Sequence, residues 1–312
     1  MKILFLTKEY GDCVGDQIFY GLRKLYGVDC IDFPHKDIMY KNDITPSVNM
    51  YGRGFTTWKN LPEIKIDGKK IFEMIAEPVK DKNYLGDYFD VIIFQRIFEQ
   101  QKLFVYLKLV GALTAKSKIV FLDGEDEGFP AVTEAFNFGT YFKRDNPYKY
   151  PQVKKISISI PEEKVAKKRK EKKRIFSTFT QCKEAYRIEY VKEYCTDKYV
   201  FNTEREYYDD LDISKYGVTM KKSAWDVPRN YENAARYVVN CIYNFDDKPE
   251  EMPPYGLVDG KNCLSFRTAE ELMKKIDDIE RAGRYKEVQE ASHQWALENT
   301  SEKWAKYVID NI

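Results

Sequence analysis

Histidine is nearly absent from this chain, and long apolar runs, clustered cysteines and net charge are missing as well. Two histidines and six cysteines (Cys13, Cys30, Cys182, Cys195, Cys241 and Cys263), with no CxxC spacing, offer no His/Cys metal cluster. The cysteines are also too sparse for a disulfide scaffold, so a reducing, cytoplasmic setting is the expectation. No stretch approaches the ~20 apolar residues that span a bilayer. The opening KILFLT passes at once into KEYGD, which reads as a first strand rather than a secretory signal. Lys+Arg 51 against Asp+Glu 50 implies no global polyelectrolyte partner and leaves a local one open. Gly11 and Gly15 do not complete a GxGxxG fingerprint, no internal repeat is present, and the tail lacks the heptads of a coiled coil.

What is present is core-forming material. At 312 residues, 43% hydrophobic and 15% aromatic, the chain is long enough for two ordinary domains. Ile3 to Leu6 reads as a buried parallel strand, followed by a helix from about Asp16 to Tyr26 and a strand at Cys30 to Phe33. Helix Phe72 to Val79, strand Val91 to Phe94, helix Gln100 to Leu113 and strand Lys118 to Leu122 continue the alternation. Ile156, Ile158 and Ile160 alternate with Ser157 and Ser159, the pattern of a strand with one wet face. Further on, strand Arg174 to Phe179, helix Cys182 to Tyr194, strand Lys198 to Phe201, strand Val238 to Tyr243 and strand Cys263 to Phe266 are expected. Three helices then close the chain, the first from Ala269 to about Ala282 behind Thr268, which can cap it with Glu271.

Several chemically capable residues follow predicted strands, the edge at which ligands of α/β sheets bind. Asp12 and Asp16 either meet a substrate hydroxyl or cap the first helix. Asp123, Glu125 and Asp126 can orient an acceptor hydroxyl or act as a base, or Asp123 can simply close its loop. Arg53, between Gly52 and Gly54 and beside Tyr51, Phe55 and Trp58, marks an aromatic loop that either stacks on a sugar or base or folds down as an insertion. Lys164 to Arg174 is strongly basic and is either a solvated linker or a contact for nucleic acid or an acidic membrane.

The most concentrated signal is Tyr216 to Val239. Pro228 suits a first helical turn, with Asp226 available to accept from freed amides. Arg229, Glu232 and Arg236 share a helix face. Lys221 and Lys222 just before the helix, with Arg229 in its first turn, suit a diphosphate, and Glu232 suits vicinal hydroxyls; exposed ion pairs are the plain alternative.

This segment resembles the block KK-x-GWD-x-x-RHYE-x-x-A-x-G of the spore-coat maturation (CgeB-like) glycosyltransferase-like proteins. FLDGED (Phe121 to Asp126), YFKRD (Tyr141 to Asp145), SIPEEK (Ser159 to Lys164) and YGLVDGKNCLSF extend the likeness over most of the chain. Asn230 stands where the family has His, and Tyr237 where it has a Gly near the donor, which implies a narrower pocket. The resemblance implies a GT-B fold, two Rossmann-like α/β domains facing a cleft, with C-terminal helices crossing back to the first domain through Trp295, Trp304, Tyr307 and Val308. Its implied boundaries are an acceptor-side domain at 1–163, a basic hinge at 164–173, a nucleotide-sugar-binding domain at 174–290 and crossing helices at 291–312. It further implies a glycosyltransferase with a nucleoside-diphosphate-sugar as co-substrate, no required metal, and a glycan or small-molecule acceptor. Lys221, Lys222 and Arg229 would hold the diphosphate, Glu232 the ribose, and Tyr255, Gly256 and Leu257 the base. Rival readings are a nucleotide-sugar-binding protein without transfer, motivated by Asn230 and Tyr237, and a DNA-modifying glycosyltransferase using the basic stretch.

Overall fold

The computed structural model describes residues 1–8, 11–42, 53–64, 67–76, 85–114, 116–146 and 150–312, without the side chains of residues 53 and 54. Tyr51, Gly52 and the end of the expected helix at Val79 lie outside the described residues. The elements in chain order are β1 (Ile3–Leu6), α1 (Cys13–Tyr26), β2 (Cys30–Phe33), α2 (Arg53–Thr57), α3 (Gly68–Ala76), α4 (Leu85–Tyr88) and β3 (Val91–Gln95). They continue as α5 (Ile97–Leu109), β4 (Lys118–Asp123), β5 (Thr140–Lys143), β6 (Val153–Lys155), β7 (Arg174–Phe176), α6 (Glu189–Tyr194) and α7 (Glu204–Asp212). The last are β8 (Ser214–Met220), α8 (Pro228–Ala235), β9 (Val239–Tyr243), β10 (Cys263–Phe266), α9 (Ala269–Arg281), α10 (Tyr285–Glu298) and α11 (Ser301–Asp310).

The chain divides into two α/β units. The first draws on Met1–Ser47, Thr57–Ser157 and Ser301–Ile312, the second on Val48–Thr56 and Ile158–Thr300. Unit 1 holds a parallel sheet in the order β2-β1-β3-β4-β5-β6. Its central strands are apolar on both faces, as a sheet covered by helices requires. Phe94, Phe104 and Phe121 interlock beneath it with ring centroids 5.0–5.6 Å apart. Helix α11 returns to this unit. A Cβ on Gly21 of α1 would lie 2.1 Å from the Ser301 carbonyl, so only glycine admits the approach, and Tyr307 meets Phe142 edge to face at 6.1 Å.

Unit 2 holds a parallel sheet in the order β10-β9-β8-β7. Phe176, Val218, Cys241, Leu264 and Phe266 of the sheet pack with Leu272 and Ile276 of α9. Thr268 caps α9 by accepting from the Glu271 amide at 3.1 Å.

Three expectations fail on tertiary grounds. Residues 156–160 form no ladder, apart from an isolated bridge between Ile160 and Thr300, and Ser157 and Ser159 are as buried as the isoleucines. The Ile158 amide is taken by the Asp226 carboxylate at 2.7 Å and the Ile160 amide by the Asn299 carbonyl at 3.2 Å, so these donors are satisfied without a neighbouring strand. Residues 198–201 are not a strand either. The expected long helix from Cys182 is a 3₁₀ turn, Glu184–Arg187, followed by the short α6.

Candidate functional site

In unit 2, the loops leaving β7, β8 and β9 share the carboxyl edge of the sheet. The loop after β7 is fastened by Asp210, which accepts from the Thr178 amide at 3.1 Å and also from the Thr178 hydroxyl and the Arg174 guanidinium. That loop presents Ser177 and Phe179 to Arg229. The Arg229 guanidinium donates to Ser177 Oγ at 3.2 Å and lies 5.0 Å from the Phe179 ring centroid and 5.7 Å from that of Tyr207. A cation is thereby fixed in the first turn of α8 by one hydroxyl and two aromatic faces. Ser177 and Phe179 directly follow β7, and that position was the available signal for them; their pairing with Arg229 was not visible.

Pro228 opens α8, as expected, but Val227 occupies the N-cap and makes no side-chain capping bond. Asp226 does not cap the helix, a correction with a plain cause. Its oxygens accept the Ile158 amide and the Tyr231 hydroxyl, at 2.7 Å each, so it ties α8 to the segment before the basic stretch. Lys221 and Lys222 are exposed just beyond β8, Lys221 with its ammonium 5.3 Å from the Trp225 ring.

Glu232 is buried, one turn into α8. It accepts from Thr56 Oγ1 and from the Tyr207 hydroxyl, each at 2.5 Å, and the Tyr208 hydroxyl meets Thr56 at 2.9 Å. Burial raises its pKa, against the pull of these hydroxyls and of the Arg229 charge. Arg236 does not pair with Glu232; it forms a two-armed bridge to Asp212.

Tyr255, Gly256 and Leu257 lie in the loop between β9 and β10. The Tyr255 carbonyl accepts from Trp295 Nε1 at 2.6 Å, and the Gly256 carbonyl from Asn262 at 2.9 Å. Lys248, unremarked in the sequence, ties the same loop by donating to the Pro249 and Met252 carbonyls. Burial lowers its pKa.

Of the two positions singled out in the sequence, Asn230 lies in the first turn of α8 beside Arg229, at this edge, and Tyr237 lies beyond the other end of the helix. Asn230 points inward, its Oδ1 accepting from Thr219 of β8 at 2.8 Å. Tyr237 sits beyond the C-terminal end of α8 at φ 57°, a conformation that favours glycine, and its ring stacks on His293 with centroids 3.6 Å apart. The backbone at Tyr237 is thus one that glycine adopts more readily, and its side chain packs on His293 within unit 2.

In unit 1, the carboxyl edges of β1 and β3, where the strand order reverses, hold a buried polar cluster. Asp12 caps α1 by accepting from the Val14 amide at 3.1 Å. Asp16 accepts from Gln95 and from Trp58 Nε1, each at 2.9 Å, and from Lys36. Burial, then the Asp16 charge, raises the Asp12 pKa. Lys36 and Gln95, 20 and 79 residues from Asp16, were missed, and Trp58, singled out as part of an aromatic loop, meets Asp16 from 42 residues away.

Asp123 ends β4 and is enclosed. Its oxygens accept from the Tyr141 hydroxyl at 2.6 Å, the Ala131 amide at 2.9 Å, and the Glu125 amide and Lys143 ammonium at 3.2 Å. Asp126 is half-exposed and pairs with Arg144. In the basic stretch Lys164, Arg169 and Lys170 pair with Glu204, Glu290 and Asp212, and Arg174 with Asp210. Among the described residues no group of three or more His, Cys, Asp or Glu is placed to hold a metal ion, and no helix is long and apolar enough to cross a membrane.

No family model and no curated protein matches this sequence. Solved structures do. HepE (Alr3699) of Anabaena in complex with UDP and glucose superposes with a TM-score of 0.54 at 11% identity, covering 100% of this chain and 99% of that one. The same protein with UDP gives 0.51 at 12%, covering 100% and 99%. A glycosyltransferase from Rickettsia africae gives 0.52 at 12% identity, covering 99% and 96%. At these identities the likeness is one of architecture, and with its two Rossmann-like α/β units and closing helices the chain has the GT-B fold.

Proposed function

We propose that this protein is a glycosyltransferase that moves a sugar from a nucleoside-diphosphate-sugar to a hydroxyl acceptor. Within the GT-B proteins we place it beside the spore-coat maturation group, on the ordered block from Lys221 to Ala235. The observation that carries the reading is Arg229, held by Ser177, Phe179 and Tyr207 in the first turn of an α8 whose N-cap residue is Val227. Such a cation, with Lys221 and Lys222, stabilises a leaving diphosphate more as its charge develops than before, and one preorganised contact of this kind is worth ~3 kcal/mol. Two lines support a uridine nucleotide as the first donor to try: the shared fold, and the presence of UDP in the HepE structure.

Glu232 already receives two hydroxyls, from Thr56 and Tyr207, and a ribose diol offers the same kind of donor once Thr56 gives way. Tyr255 to Leu257 would flank the base. In unit 1, Asp126 is assigned to the acceptor hydroxyl, and Asp123 to holding the loop that carries it rather than to proton transfer. Tyr237, stacked on His293 beyond the end of α8, gives the binding-only alternative no support, and Asn230, beside Arg229, keeps it as the second reading. The ion pairs along the basic stretch weaken the nucleic-acid one.

Isothermal titration with UDP tests the reading. Arg229→Ala should weaken binding by ~10-fold or more, and transfer from a UDP-sugar should fall further. Equal affinity and rate in the variant would remove Arg229 from the site.

A further inference from the structure

Helix α5 departs from the pattern of a helix that covers a sheet. Its inner face, with Ile97, Phe104 and Leu107, is buried in the unit 1 core. A covering helix is normally polar on its opposite side. Here the spacing of four, three and four residues from Phe98 through Lys102 and Val105 to Leu109 draws a second stripe along the outer face. On it Phe98 is 61% exposed, Val105 46% and Leu109 79%. Lone exposed apolar residues are ordinary, but a continuous stripe over the length of a helix is not.

The charges beside the stripe are positive. Lys102 sits within it, and Lys108 beside it with its ammonium 3.6 Å from the ring of the half-exposed Phe138. Neither lysine has a carboxylate partner among the described residues, whereas the one acid of the helix, Glu99, is bonded to Arg96 at 2.9 Å. A second copy docked here about a two-fold axis would set like charges against each other. An anionic lipid surface satisfies the lysines and the apolar stripe together, in the manner of helices that lie in the plane of a membrane interface.

We propose that the outer face of α5 docks this protein on anionic membrane surfaces as a peripheral contact, with Phe98, Val105 and Leu109 entering the headgroup boundary and Lys102 and Lys108 meeting lipid phosphates. Co-sedimentation of the full chain with phosphatidylcholine vesicles, with and without phosphatidylglycerol, tests it. The protein should pellet with the anionic vesicles and be released by salt. K102Q/K108Q should lower partitioning by roughly 30-fold, at about one kcal/mol for each lysine lost. V105E/L109E should remain in the supernatant, with circular dichroism checking that both variants are folded. If the unaltered chain ignores both vesicle types, or V105E/L109E pellets as it does, the proposal is overturned. It is equally overturned if light scattering shows a dimer that V105E/L109E dissolves while no vesicle binding is seen, since the face then belongs to a second copy.

Discussion

At the scale of single residues, buried charge is the most demanding feature of this protein. Asp123 and Lys143 are both fully buried and bonded to each other at 3.2 Å. Removing the charge of one leaves the other unpaired in a medium that penalises it. Asp123→Asn should therefore cost about 3 kcal/mol in denaturant unfolding while leaving the protein able to turn over substrate. Lost turnover with unchanged stability would reassign Asp123 to proton transfer. Lys172 presents the opposite case. Its ammonium donates to the Arg236 carbonyl at 2.8 Å and to that of Leu211 at 3.2 Å, and burial lowers its pKa from 10.5 to about 7. Between those values the unfolded chain binds the proton that the native state has released, so this group makes stability rise with pH across the window. The slope it adds approaches ~1.4 kcal/mol per pH unit. Lys172→Met should flatten the stability profile there relative to the unaltered protein, and parallel profiles would sink the assignment.

At the scale of elements, contacts between distant segments override local preference. Gly21 has ordinary helical neighbours, yet its missing side chain is what lets α1 meet the start of α11. Gly21→Ala should destabilise the protein by ~1–3 kcal/mol, read as a lowered melting temperature, because the clash is with backbone that cannot swing aside. Helix α8 shows how far local reading reaches. Pro228 as its first residue and the loop of lysines before it follow from the residues themselves. The role of Asp226 does not, since the amide it accepts lies 68 residues upstream, and the Thr56 partner of Glu232 lies 176 away. Tyr237 beyond the end of α8 stacks on His293, so Tyr237→Gly should leave UDP affinity unchanged in titration calorimetry. Tighter binding in that variant would return Tyr237 to the pocket.

For the whole molecule, unit 1 takes its last helix from the far end of the chain. Trp304, Ala305 and Val308 of α11 are buried, so deletion of residues 301–312 strips a covering layer from α1. Calorimetry should then show the unit 1 transition at a distinctly lower temperature; an unshifted transition would mean that α11 contributes little to that unit.

The residues by themselves determined the α/β alternation, the fully apolar parallel strands and the start of α8, because these depend on the period of burial and on conformations set within a few positions. Turn and cap chemistry such as Thr268 with Glu271 belongs to the same class. Tertiary structure alone decided that 156–160 satisfies its amides through Asp226 and Asn299 instead of a ladder, and that Arg229 is gripped by Ser177 and Phe179. Each of these outcomes pairs a buried polar group with a partner far along the chain, and no local pattern encodes which donor will meet which acceptor once the core has closed.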